Sequence, residues 1–255
     1  TDIECGKAFK GPSRLIVGGR NADPFEWPWM VALLERKDQE QFCGGVLLTE
    51  RHVLTAAHCF NGRRSRDVDV VLGEYNLFRD QGYEEYFSIS NLERHPDFAD
   101  RDSHYRNDLA ILTLEKSAKF NSAIRPVCLP SSDAQDFTGL NATALGWGDT
   151  DGDEFIESWA HVLQEVEIPV VGQEECDSRH ADIPIKPEIE ICAAPFDGGR
   201  DTCTGDSGGP LLVQVNKRWA VIGLVSWGPT RCGSGLPGVY TRVDGFLDWI
   251  WDQIR

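Results

Sequence analysis

A serine flanked by glycines is the first sign of chemistry in this sequence: Gly205-Asp206-Ser207-Gly208-Gly209-Pro210. Glycine on both sides lets the backbone turn sharply, and small neighbours let a substrate approach Ser207 Oγ. A Gly-rich hairpin turn would look the same, so the serine becomes a nucleophile only if a base can reach it. The stretch satisfies G-x-S-x-G, the elbow of α/β-hydrolases, but those enzymes need Asp and then His after the Ser. The last histidine is His180, so chain order excludes that arrangement. The base must lie upstream. His58, in Thr55-Ala56-Ala57-His58-Cys59, has small neighbours that leave room for a substrate and a cysteine that can pin its loop. A buried structural role is the commoner fate of a lone His. The orienting acid belongs in an apolar context, and Asp108 opens the hydrophobic run Asn107-Asp108-Leu109-Ala110-Ile111-Leu112, where an ordinary strand-start turn would also put an acid. In the order His58, Asp108, Ser207 the three make a general base, the acid that orients it, and a nucleophile for acyl transfer.

These residues need a rigid frame. Short runs rich in Val, Ile, Leu and aromatics recur between Gly, Pro, Asn and Asp: Trp29–Leu34, Cys43–Leu48, Val68–Gly73, Leu109–Leu114, Ala142–Trp147, Pro210–Val215 and Trp219–Trp227. That pattern predicts an antiparallel sandwich or barrel rather than βαβ units. Both alternating sets of Trp219–Trp227 are largely apolar, so this strand is covered on both sides. Val243, Phe246, Leu247 and Ile250 recur at helical spacing and predict a terminal helix with Asp244 as its N-cap. Residues 1–14 read as an extended linker anchored by Cys5. The acidic crowd over Asp149–Glu157 reads as a solvated loop.

The chain has 255 residues, 41% hydrophobic, which is enough for a sizeable core and excludes a disordered chain. Its formal net charge of −16 argues against nucleic acid or an anionic membrane as the main partner, and suits cationic substrates. No apolar run approaches the ~18 residues of a membrane span. The single Met is Met30 and the chain starts at Thr1, which reads as a processed product or a fragment. The cysteines number 8, with no CxxC pair, so disulfides in an oxidising, extracellular compartment are expected rather than a metal site. Their pairing is open from spacing alone. Asn141-Ala142-Thr143 is a glycosylation sequon.

Taken together, these stretches resemble the trypsin-like serine proteases of the chymotrypsin fold. The likeness starts at Ile16-Val17-Gly18-Gly19 and runs to the terminal helix. It passes through Cys43-Gly44-Gly45, the His58 and Asp108 stretches, Gly146-Trp147-Gly148, Gly205–Pro210, Ser226-Trp227-Gly228 and Pro237-Gly238-Val239-Tyr240. Within the family, the pre-activation cysteine and Ile124-Arg125-Pro126-Val127-Cys128-Leu129-Pro130 are most similar to arthropod clip-domain and clotting-cascade proteases. The resemblance implies an all-β fold of two packed six-stranded antiparallel barrels with a C-terminal helix and the active site in the cleft between them. It implies a pre-activation segment 1–15 and a protease domain 16–255, whose halves meet near 128–140.

The same resemblance assigns roles. Ser207 attacks, His58 moves the proton, Asp108 fixes the His58 tautomer, and the N–H groups of Gly205 and Ser207 form the oxyanion hole. Asp201 sits at the floor of a primary pocket walled by Gly228 and Gly238, which implies cleavage after Arg or Lys; Ser226, Trp227 and Tyr105 also bind substrate. Disulfides are implied at Cys43–Cys59, Cys176–Cys192, Cys203–Cys232 and Cys5–Cys128, and an apolar contact of Ala142 with Val213 stands where many relatives have a further bridge. Arg63, Arg64 and Arg66 form a loop after His58 that could meet acidic residues on the leaving side, although plain solvation accounts for them. No cofactor is needed for the chemistry. A structural Ca²⁺ is implied at Glu74, Asn76, Arg79 and Glu84. Activation is implied by a cut that frees Ile16, whose ammonium would pair with Asp206. Here Leu15 precedes Ile16 and the nearest arginine is Arg14. The implied protein is therefore a secreted zymogen whose partners are protein substrates, protease inhibitors and an activating protease. The alternative is a catalytically silent homologue acting as a cofactor or binding module.

Overall fold

The structure, a computed structural model, describes residues 4–8, 19–101, 104–131, 136–149, 159–180, 183–194, 202, 205–229 and 235–255. The first half contributes β1 (Arg20–Asn21), β2 (Met30–Glu35), β3 (Gln41–Leu47), β4 (His52–Thr55), β5 (Val68–Leu72), β6 (Glu85–Phe87), β7 (Ile89–Arg94), β8 (Ala99–Arg101), β9 (His104–Arg106) and β10 (Ala110–Leu114). The second contributes β11 (Asn141–Gly146), β12 (Gln164–Val171), β13 (Glu190–Ala193), β14 (Pro210–Val215), β15 (Arg218–Trp227) and β16 (Gly238–Arg242). Every expected apolar run is a strand, displaced by at most a residue or two at its ends.

The fold is that of the chymotrypsin proteases. In the second half the order β12-β11-β14-β15-β16-β13 closes through a further β12–β13 pairing, giving a complete barrel. The first half is a curled sheet in the order β6-β5-β2-β3-β4-β10-β7. Its two edges, β6 and β7, are one run of chain interrupted only at Ser88, so the backbone itself joins them. The hairpin of β8 and β9 stands apart.

Burial explains how the halves meet. Residues 220–226 of β15 are all buried, as its two apolar faces predict. Val221 and Leu224 belong to the large cluster that includes Val31, Leu47, Leu54 and Leu112 of the first sheet, while Ile222 and Val225 belong to the interior of the second barrel. Each such side chain contributes roughly 1.5–3 kcal/mol on burial, so a strand filled on both faces locks the barrels together. The termini also cross over. β1 pairs with β12 of the second barrel, and the last helix with its lead-in turn places Trp249 and Phe246 against His95 of the first half.

That helix, α2 (Leu247–Ile254), corrects one expectation. Asp244 is not its N-cap: a 3₁₀ turn, Val243–Phe246, leads into the helix, and Asp244 accepts a hydrogen bond from Arg242 Nε at 2.8 Å instead. A 3₁₀ turn repeats every three residues, so it places Val243 and Phe246 on one side just as an α-helix would. A second helix, α1 (Gln173–Arg179), was invisible in the sequence because Cys176 is its one buried residue.

Candidate active site

Strand register brings the first two candidates together. β10 runs antiparallel to β4 with Ala110 opposite Thr55. His58 lies in the 3₁₀ turn Ala57–Phe60 that follows β4, and Asp108 lies just before β10, so both project beyond the same end of adjacent strands. Asp108 is 1% exposed. Its Oδ2 lies 2.7 Å from His58 Nδ1, and its Oδ1 accepts the His58 backbone N–H at 2.9 Å. Gripped at two points, the histidine can neither swing nor tip. Tyr105 of β9 stacks flat on the imidazole, with centroids 4.4 Å apart and 5° between planes. The second barrel completes the cradle: Ser226 donates to Asp108 Oδ2 at 2.6 Å, and Thr241 donates to the Asp108 carbonyl at 2.8 Å. Ser226, expected along the substrate cleft, thus directs its hydroxyl onto the acid. Thr241 was not foreseen, because nothing local marks a strand threonine that works across the barrel interface.

Ser207 arrives from the other side, in the turn before β14. Its carbonyl accepts Gly44 N–H at 2.8 Å, and Cys59 Sγ, one residue past His58, lies 3.7 Å from the same oxygen. The Cys43–Cys59 disulfide spans 16 residues and ties β3 to the His58 turn; a loop of that length is worth roughly 3 kcal/mol by chain entropy. The turn needs its glycines. Gly205 and Gly208 have φ of 97° and 75°. A Cβ on Gly205 would collide with the Trp159 ring, and one on Gly208 with Thr55 Oγ1 and the Gly44 carbonyl. Thr55 is itself held by its hydroxyl on the Gly44 carbonyl at 2.7 Å. Asp206 accepts Gly148 N–H at 2.8 Å and packs where side chains on Gly146 or Gly148 would stand. Among the described residues no hydrogen bond joins Ser207 Oγ to His58; contacts of this kind commonly tighten only when substrate is bound.

The neighbouring cleft is aromatic. Trp227 ends β15, with His104 and His180 edge-on to it at 5.0 and 5.3 Å. Behind it Glu190, buried, takes Trp227 Nε1 at 3.3 Å, Lys186 N–H at 2.8 Å and an ion pair from Arg106. Burial raises the Glu190 carboxyl above its usual range despite these donors. A Cβ on Gly228 would lie 3.6 Å from Gly238 Cα, so the two glycines expected to wall the pocket face one another. Asp201, expected at its floor, lies outside the described residues, as do Leu15, Ile16, Cys203 and Cys232. The arginine loop is engaged internally: Arg63 pairs with Glu35 and covers Phe42 at 4.2 Å, and Arg64 pairs with Asp67 at 2.8 Å.

A family model described as Trypsin matches residues 16–250. The chain belongs to the trypsin family. It is 38% identical over 253 residues to the proclotting enzyme of Tachypleus tridentatus, a match that covers 94% of this chain and 66% of that protein. The CLIP domain-containing serine protease HP8 of Bombyx mori is 35% identical over 261 residues, covering 94% and 69%. Serine protease B4 of Anopheles gambiae, also CLIP domain-containing, is 34% identical over 257 residues, covering 94% and 70%. The chain thus spans about two thirds of the length of these relatives. Membership of the trypsin family makes it a serine endopeptidase, and places it beside clotting and CLIP proteases.

Around this trypsin-family cleft, three of the expected disulfides are present: Cys5–Cys128, Cys43–Cys59 and Cys176–Cys192. Ala142 and Val213 share one apolar cluster, as expected in place of a further bridge. Asn141 is exposed and donates to Glu167 at 2.6 Å. The residues implied for calcium fit a hard cation by donor type. Glu74 is buried, and desolvation with the nearby Glu84 and Asp80 charges raises its carboxyl to about 7. That is the group a cation would relieve. Glu84, by contrast, is turned to the loop amides of Gln81 and Tyr83, and Asn76 Oδ1 to that of Phe78, so the loop also holds itself. None of the described helices is long and apolar enough to cross a membrane.

Proposed function

We propose that this trypsin-family chain is a secreted endopeptidase, made as a zymogen, that cleaves proteins after Arg or Lys through His58, Asp108 and Ser207. The observation that carries this reading is the double grip of a buried Asp108 on His58, beside a Gly–Ser turn whose positive φ angles require glycine. With Nδ1 turned to Asp108, His58 Nε2 is left to act as base. It takes the proton of Ser207 Oγ as that oxygen attacks the scissile carbonyl, then delivers it to the leaving amine. Asp108 stabilises the imidazolium formed in between. The N–H groups of Gly205 and Ser207 receive the developing oxyanion, each donor worth roughly 10²–10³ in rate.

Preference for Arg or Lys rests on Asp201, six residues before Ser207, and on the facing glycines Gly228 and Gly238. An unpaired buried carboxylate costs roughly 2–5 kcal/mol, so Arg peptides should outrun Phe peptides by at least about thirtyfold. Secretion is supported by the disulfides. A Ca²⁺ ion held by Glu74 and Glu84, with carbonyls of Asn76 and Arg79, and a glycan on Asn141 belong to the same reading. The test is labelling of the activated protein with a fluorophosphonate, followed by rates on peptides that differ only at the cleaved residue. Labelling with Arg preference supports the proposal. No labelling indicates the silent homologue, and faster cleavage after Phe or Leu removes the Arg/Lys assignment.

A further inference from the structure

One polar side chain outside the catalytic set reaches the oxyanion turn from the opposite barrel. Gln41 opens β3, and its Nε2 donates to the Gly205 carbonyl at 2.9 Å, a contact between residues 164 apart in the chain. A bulge aims it there. Leu33 pairs with Cys43, but Leu34 pairs with Gln41, so Phe42 is an extra residue and Gln41 leaves the face it would share with Cys43. Bulges of this kind commonly re-aim a side chain beside a site. The other end of the amide is the second observation: Gln41 Oε1 is buried without a partner. Nε2 must face Gly205, because a carbonyl accepts and does not donate, so the amide cannot flip to satisfy Oε1. A buried acceptor left unpaired is destabilising. The orientation is therefore maintained by the contact to Gly205.

We propose that Gln41 is a positioning residue for the oxyanion hole. By holding the Gly205 carbonyl it fixes the Gly205–Asp206 peptide, and with it the glycine turn that presents the Gly205 N–H. This rests on the reading of Gly205 as an oxyanion donor.

The experiment compares Gln41→Met, which keeps the shape and loses both polar ends, with Gln41→His, which keeps a ring N–H. Four quantities are read: kcat and KM on an Arg peptide, affinity for benzamidine, affinity for a peptide aldehyde whose adduct with Ser207 places an oxygen in the hole, and Tm. Expected for Gln41→Met is a kcat about tenfold lower and an equal loss of aldehyde affinity. KM and benzamidine binding should stay unchanged, and Tm should hold or rise because the orphaned oxygen is gone. Gln41→His should recover most of kcat. Unchanged kcat in Gln41→Met, or a parallel loss of benzamidine affinity and Tm, overturns the proposal by making Gln41 idle or merely structural. A wild-type protein inert to both fluorophosphonate and Arg peptides would instead overturn the reading of the site, and the proposal with it.

Discussion

Asp108 gathers more of this site than any other residue. It holds the His58 ring and backbone, and is itself held by Ser226 and Thr241. Asp108→Asn keeps the shape but presents an amide to Nδ1, which favours the wrong imidazole tautomer. Turnover should fall by about 10⁴, measured as ester hydrolysis by the activated enzyme, while the melting temperature moves little. Ser207→Ala should abolish fluorophosphonate labelling and leave the fold intact, and His58→Ala should be about as damaging, since such residues act as a unit. Near-wild-type turnover in any of the three would refute the assignment. Gly208 carries a different prediction. Its φ of 75° suits glycine, and a methyl would strike Thr55 and the Gly44 carbonyl. Gly208→Ala should lower both stability and activity, with a strain cost of roughly 1–2 kcal/mol before the clash is counted. Thermal melting reads the first and active-site titration the second; a variant with wild-type Tm would show that the turn has room to relax.

At the scale of elements, the loop from Glu74 to Glu84 has the clearest titration. Glu74 has a folded pKa of about 7 against a reference of 4.5. A raised carboxyl pKa means that the folded state binds the proton more tightly than the unfolded state. This group therefore adds no penalty below about pH 4.5, a growing one between 4.5 and 7, and a constant one above 7. Stability should fall across that window as pH rises. A divalent cation ligated by the ionised carboxylate would offset the penalty, so calcium should raise Tm more at pH 8 than at pH 5. Melting curves with excess Ca²⁺ and with a chelator, at both pH values, check this. Equal curves at pH 8 would leave a loop held by its own amides alone. Glu74→Gln should remove both the pH slope and the calcium response.

At the scale of the whole molecule, we expect the oxyanion turn to depend on the terminus that activation frees. Asp206 sits one residue from Ser207 and packs against Gly146 and Gly148 at the end of β11. We expect the form beginning at Ile16 to be fully active, because its ammonium has the length to reach Asp206. The form beginning at Leu15 should have little activity, since the extra residue must bulge or misplace the charge. N-terminal sequencing of active material, with activity measured for each terminus, decides between them; full activity from Leu15 would show that the terminal pocket tolerates the added residue. Residues 4–8 should remain with the body after either cut. Cys5 is bridged to Cys128, Gly6 exchanges backbone hydrogen bonds with Pro126 and Trp219, and Glu4 meets Arg218 at 2.5 Å.

His58, Asp108 and Ser207 were legible in the chain because each carries a local mark: small neighbours, an acid opening an apolar run, glycines about a serine. The strands were legible for a similar reason, since burial on one or both faces writes itself into alternation. Helix α1 and the break at Ser88 left no such trace, because few buried side chains depend on them; the 3₁₀ lead-in to α2 left one that reads equally as α-helix, because Val243 and Phe246 are buried at a spacing both helices share. Thr241 and Gln41 also left none, and Ser226 was marked for the substrate cleft but not for its bond to Asp108. Each acts through a hydrogen bond to a residue far off in the chain, and a serine, threonine or glutamine in a strand looks the same whether or not that partner exists. Local patterning is a one-dimensional property that a strand or a turn imposes on its own residues. The pairing of Ala110 with Thr55, the bulge at Phe42 and the approach of the two barrels are decided by packing across the molecule, and these bring His58, Asp108, Ser207 and Gly205 together.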